Sequence, residues 1–122
     1  MSNTHIESMV AVVSVKDYPQ ALKWYTQLLG READIFPDAG VAEWQLAEKS
    51  WIQVTADPER AGYSTVIIGV RAIDTQRSYC EAAGLPVGEL IEVPGVIKMA
   101  EIIDPEGNKV AYVQDISAEV KN

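Results

Sequence analysis

Apolar and polar positions alternate along this chain with two different periods. Residues 8–15, SMVAVVSV, are a short apolar run rich in β-branched side chains, which predicts a strand. In residues 17–30, DYPQALKWYTQLLG, the apolar positions Ala21, Trp24, Tyr25, Leu28 and Leu29 fall on one stripe of a helix. Asp17 can cap that helix, and Gln20 three residues on completes a capping-box pattern. Pro19 lies in the first turn, where a missing N–H costs nothing, and Gly30 supplies the stop. Short strands follow around residues 32–36, 41–46 and 51–55, with AEKS as the hairpin turn between the last two.

After the linker-like stretch ADPERAG, 56–62, the same order returns. STVIIGVR reads as a strand. Residues 74–84 read as a helix with Tyr79, Ala82 and Ala83 on one face and Gly84 at its end. Strands are predicted over 89–93, 96–103 and 109–113, with bends at Pro86, Pro94 and Gly95. DPEG, 104–107, has the residue order of a type I turn. The whole is βαβββ written twice. Val10 precedes Thr65 by 55 positions, and Gly30 precedes Gly84, and Tyr25 precedes Tyr79, by 54. Near-constant offsets point to an internal duplication. The expected fold is α+β: one domain over 1–122 holding two tandem modules, about 9–57 and 64–114. A four-stranded sheet this short buries one face under its helix and leaves the other open. Two such mixed sheets are expected to curl around a shared concave cavity that takes a ligand.

Composition narrows the partners. A chain of 122 residues with 48% hydrophobic content can build one compact core. No apolar run approaches the roughly 18 residues of a membrane span. MSNTHIES lacks the basic and apolar segments of an export signal. A single cysteine, Cys80, excludes an internal disulfide and fits a reducing cytoplasm. The net charge of −8, with ten scattered basic residues, argues against nucleic acid and anionic membrane as partners. It favours solubility and, more sharply, cationic ligands.

Three stretches carry a resemblance. VSVKD followed by ALKWYTQLLG, then FPDAG through WIQVTADP, then DPEGNKV, resemble in order the glyoxalase/bleomycin-resistance/extradiol-dioxygenase family, also called vicinal oxygen chelate proteins. Together they cover nearly all of residues 9–114. Enzymes of that family generally hold one divalent metal through His or Glu, occasionally Gln, at equivalent places in both halves. The resemblance puts those places at Val10, Gln53, Thr65 and Ala111. Valine and alanine cannot coordinate, threonine does so weakly, and only Gln53 offers a usable oxygen. Shifting by one residue brings in Met9, Ala11, Val66, Ser64, Val110 and Tyr112, none an imidazole or carboxylate. The only histidine, His5, falls in the tail and is read as solvated. No metal and no other cofactor is therefore expected.

Alternation along the strands then selects what faces the ligand: Val12, Ser14, Trp51, Thr55, Ile67, Gly69 and Val113 beside the four positions above, with Met99, Glu101 and Ile103 added by the resemblance. The candidate ligand-binding residues are Glu101, Trp51, Trp44, Gln53, Thr65 and Met99. Glu101 is a carboxylate in an apolar setting, suited to anchor an amine or act as a base, or else a strand-edge charge that reaches water. Trp51 or Trp44 can stack on a planar ligand, the parity of 41–46 being open. Trp24 and Tyr25 are expected in the core, and Cys80 as a buried apolar side chain rather than a nucleophile. No GxGxxG, GxxxxGK[ST] or GxSxG occurs. Three readings follow. The first is a metal-free protein that sequesters a small cationic or aromatic compound, as the bleomycin-resistance branch does. The second is a lyase, isomerase or dioxygenase-like enzyme with a remodelled site. The third is a structural member with a filled cavity. By resemblance, a homodimer is expected.

Overall fold

A computed structural model describes residues 5–120. The chain divides into two compact units, Met1–Ala61 and Gly62–Asn122. The first contains β1 (Met9–Val15), α1 (Tyr18–Leu29), β2 (Ile35–Asp38), β3 (Val41–Ala47) and β4 (Ser50–Ala56). Its sheet has the order β1-β4-β3-β2, with β1 and β4 parallel and the other pairs antiparallel. One face is apolar and closed: Val13, Val15, Ala42, Trp44, Ile52 and Val54 are buried, as are Ala21, Tyr25 and Leu28 of α1. The helix begins and ends where its sequence says. Gln20 N donates to Asp17 Oδ1 at 3.1 Å, and Gly30 takes the left-handed conformation at φ 77°. Trp24 is half-buried and meets Tyr25 edge-on, with ring centroids 4.8 Å apart.

The chain after α1 does not continue directly into a strand, as residues 32–36 were expected to do. Arg31 and Asp34 are used first as a clamp on β3. Arg31 donates to Asp34 Oδ1 at 2.7 Å and to the Gln45 carbonyl at 2.5 Å, while Gln45 N donates to Asp34 Oδ2 at 2.7 Å. The Gln45 amide and then the Arg31 guanidinium hold the Asp34 carboxyl below the ordinary carboxylate range. The Asp34 backbone N also donates to the Glu43 carbonyl at 2.8 Å, and the β2 ladder runs on from Ile35.

The second unit repeats the plan: β5 (Thr65–Gly69), α2 (Ile73–Ala82), β6 (Ile91–Val93), β7 (Ile97–Ile103) and β8 (Lys109–Asp115), followed by a short α3 (Ser117–Val120). The strand order is β5-β8-β7-β6, again with the first and last strands parallel. The buried face of α2 is not the expected one. Ile73 and Cys80 are buried, whereas Tyr79 is 39% exposed and Ala82 lies at the surface. Tyr79 occupies the repeat position of the fully buried Tyr25, yet its neighbour Cys80 fills the core place. The second helix is thus turned by one residue relative to its offset from the first. No side chain of its own caps α2; Ile73 N donates instead to Gln114 Oε1 on β8 at 2.9 Å.

The turn at 104–108 is a structural joint. Asp104 Oδ1 accepts from Glu106 N and Asn108 N, both at 2.9 Å, and Asn108 Nδ2 donates to Asp104 Oδ2 at 2.8 Å. Asn108 Oδ1 accepts from Ser64 N at 2.8 Å, which ties the entry of β5 to the β7–β8 turn. Both side chains are buried, as groups so fully bonded can be. Gly62 lets the chain pass close by: a Cβ there would stand 2.6 Å from the Glu106 carbonyl oxygen.

Candidate functional site

Register determines which side chains share the open face of each sheet. In the first unit, Val10 pairs with Trp51, Val12 with Gln53 and Ser14 with Thr55, while Glu43 pairs with Gln53 and Gln45 with Trp51. Paired residues point to the same side. The open face thus carries Val10, Val12, Trp51, Gln53, Thr55 and Glu43. Val10 and Val12 are exposed; Trp51, Gln53, Thr55 and Glu43 are half-buried. The polar side chains form a row across β4 and β3. The Thr55 hydroxyl donates to Gln53 Oε1, and Gln53 Nε2 donates to Glu43 Oε2 at 3.2 Å. A carboxylate can only accept, so Glu43 fixes which end of the Gln53 amide faces it.

In the second unit, Thr65 pairs with Lys109, Ile67 with Ala111 and Gly69 with Val113, while Met99, Glu101 and Ile103 of β7 pair with Val113, Ala111 and Lys109. All of these share the open face. Ile67, with 70% of its surface exposed, has no cover within this sheet. Glu101 is not alone on its apolar strand. Lys109 Nζ lies 3.6 Å from Glu101 Oε2, diagonally across the β7–β8 pair, and both side chains remain partly exposed. Such a pair contributes at most about 1 kcal/mol to stability. It nonetheless places a cation beside the carboxylate, which weakens Glu101 as an anchor for a second one.

Five of the six candidate ligand residues, Trp51, Gln53, Thr65, Met99 and Glu101, stand on open faces. Trp44 does not, and its candidacy is corrected. It is fully buried on the closed face of β3 between Glu43 and Gln45, and its indole Nε1 donates to the Arg31 carbonyl at 2.9 Å. A ligand on the open face cannot reach it. The signal was present in VAEWQLA: Ala42 and Trp44 are apolar and Glu43 and Gln45 polar, so the tryptophan belongs with the core. The same parity brings Glu43 to the open face, where sequence reasoning had given it no role. Lys109 was missed because its meeting with Glu101 depends on strand register. Cys80 is fully buried, and burial pushes its thiol up, away from nucleophile character. His5 is exposed.

A divalent metal does not fit this donor set. Val10 and Ala111 carry no lone pair, Thr65 has a neutral hydroxyl, and the Gln53 oxygen already accepts from Thr55. Among the described residues, no three His, Cys, Asp or Glu side chains are grouped to hold an ion. Among the described residues, no helix is long and apolar enough to cross a membrane. A recess of about 420 Å³ in the first unit is lined by Leu22, Thr26, Ala33 and Phe36, with Lys23, Gln27 and Glu32 around them. It holds none of the residues singled out above, whereas the open face of the first unit sets polar groups beside an aromatic ring.

Two βαβββ units with one strand order and four-stranded mixed sheets define the class of protein. No family model matches the chain, and no curated protein does. Solved structures do. A glyoxalase/bleomycin resistance protein from Catenulispora acidiphila is 28% identical, with a TM-score of 0.83 over 89% of this chain and 98% of that one. A lactoylglutathione lyase from Agrobacterium tumefaciens is 16% identical, with a TM-score of 0.75 over 93% of this chain and 96% of that one. A bleomycin-binding protein complexed with bleomycin is 16% identical, with a TM-score of 0.74 over 90% and 99%. The fold is that of the glyoxalase/bleomycin resistance proteins, and these neighbours support the vicinal oxygen chelate relationship that the sequence motifs carry.

Proposed function

We propose that this protein binds a small cationic or aromatic molecule on its open sheet faces without a metal. The observation that carries the reading is the donor set: aliphatic Val10 and Ala111, the neutral Thr65, and a Gln53 whose oxygen is engaged by Thr55. With ligation chemistry removed, these faces retain what binding needs, an aromatic surface in Trp51, a pliable thioether in Met99 and apolar Val12 and Ile67. A fold neighbour complexed with bleomycin supports a binding role. Another neighbour is a lyase, but general-base chemistry by Glu101 is disfavoured by Lys109 at its side. We further propose that the protein acts in the cytoplasm as a homodimer, which would cover exposed apolar residues such as Ile67.

Tryptophan fluorescence titrated with a panel of planar aromatic compounds, cationic and neutral, tests the reading. Saturable quenching is expected, and it should persist after exhaustive treatment with a chelator. Stoichiometric divalent metal in the purified protein, or a panel without any saturable response, would overturn it.

A further inference from the structure

We infer that Glu43, rather than Glu101, is the residue that recognises positive charge, and that the ligand is a planar ring carrying an ammonium, amidinium or guanidinium group. The inference rests on the binding role proposed above and specifies its chemistry. Its basis is the direction of the hydrogen bonds on the open face of the first unit. Protons run one way along the row, from the Thr55 hydroxyl to Gln53 Oε1 and from Gln53 Nε2 to Glu43 Oε2. The row ends in a carboxylate. What it leaves toward a ligand is mainly acceptor capacity, at Glu43 Oε1 and at the Thr55 oxygen, with a single amide hydrogen of Gln53 between them.

Among the described residues no ion pair involves Glu43, and the residues paired with it across the sheet are Ile35 and Gln53. Arg31, the arginine bonded to the Gln45 backbone on the same strand, is held by Asp34. Glu101, in contrast, faces Lys109. Asp38 and Asp115 also fall on these faces, at strand ends; of the two mid-strand carboxylates, Glu43 is the one without a described ion pair. It is half-buried, so a ligand cation that meets it displaces little bulk water and is screened less than at the surface. Trp51 lies diagonally from Glu43, since Gln45 pairs with Trp51 and Glu43 with Gln53. Diagonal neighbours on adjacent strands stand about 7–8 Å apart. A ring laid on the indole thus presents a substituent one or two bonds long to the carboxylate.

The experiment uses proflavine, a planar cation, and acridone, a neutral ring system of similar shape, titrated against the whole protein and its Glu43→Gln, Glu43→Asp and Glu101→Gln variants. Loss of a charge-assisted contact predicts that Glu43→Gln weakens proflavine roughly tenfold or more and leaves acridone unchanged. Glu43→Asp retains part of the preference, and Glu101→Gln changes neither dye by more than about twofold on the scale of exposed ion pairs. Circular dichroism of each variant verifies folding. If Glu43→Gln and Glu43→Asp bind proflavine as the parent does, or if the parent binds both dyes equally, the assignment to Glu43 fails while the binding role stands. If the parent binds neither dye nor any compound of the wider panel, both fail.

Discussion

Asn108 shows how much one side chain can hold. Its amide oxygen accepts from Ser64 N and its amide nitrogen donates to Asp104 Oδ2, in a place without solvent contact. Asn108→Ala strips the buried Asp104 carboxylate of a donor and the half-buried Ser64 amide of its acceptor. The expected loss is on the order of 3 kcal/mol in urea unfolding, with no change in dye affinity for the folded protein. Tyr112 is the opposite case. Its hydroxyl is buried near Cys80 and Gln76 but makes no hydrogen bond among the described residues, and burial pushes its phenol well above the ordinary range. Tyr112→Phe removes an unsatisfied polar atom and keeps the ring, so it should be neutral or stabilising by about 1 kcal/mol in the same measurement. Neither behaviour could be read from residue type: DPEGN is legible as a turn, but that Asn108 reaches back to Ser64 is a fact of tertiary approach.

At the level of elements, legibility followed how local the determinants are. The first helix was readable to within a residue because Asp17, Pro19 and Gly30 act inside the segment they delimit. The second lacks such a cap and takes one from Gln114, 41 residues away; its start was placed within a residue, but its buried face, with Ile73 and Cys80 in place of Tyr79, Ala82 and Ala83, was misjudged. β2 was placed too early: Arg31 and Asp34 grip Gln45 of β3 through their side chains, and the strand itself runs over Ile35–Asp38. That clamp has a pH signature. A carboxyl whose pKa is lowered in the folded state contributes stability that is present above its unfolded pKa, about 3.9, and is lost as pH falls through the lower folded value. The carboxyl carbon of Asp34 should therefore titrate by NMR below its value in the unfolded chain. Asp34→Asn should flatten the corresponding part of the acid-unfolding profile. An Asp34 midpoint at or above the unfolded value would contradict the clamp.

For the molecule as a whole, the duplication was visible in offsets of 54 and 55 residues, and the matching strand orders bear it out. What periodicity could not give was the traffic between strands. Glu101 lies in an apolar run of sequence and has Lys109 beside it, whereas Glu43, given no role by the sequence, ends a proton-directed row. Both facts are properties of register. The whole chain also supports a prediction about metal. If folding and binding proceed without an ion, dialysis against a chelator should leave the thermal midpoint within about 1 °C, since a site-bound metal at a hundred times its Kd would contribute roughly 2.7 kcal/mol and shift it by several degrees.

The bond from Ser64 to Asn108 spans 44 residues, and its donor stands at the doorstep of a strand that joins its sheet at the far edge from β6. β5 has one partner only, β8, and that pairing is closed at its start twice over, by the Asn108 amide and by Lys109 N donating to the Ser64 carbonyl at 2.9 Å. A pulling force applied near residue 64 therefore meets this double clasp before it reaches the ladder behind it, and loss of the Asn108 amide should let the strand begin to open at lower load.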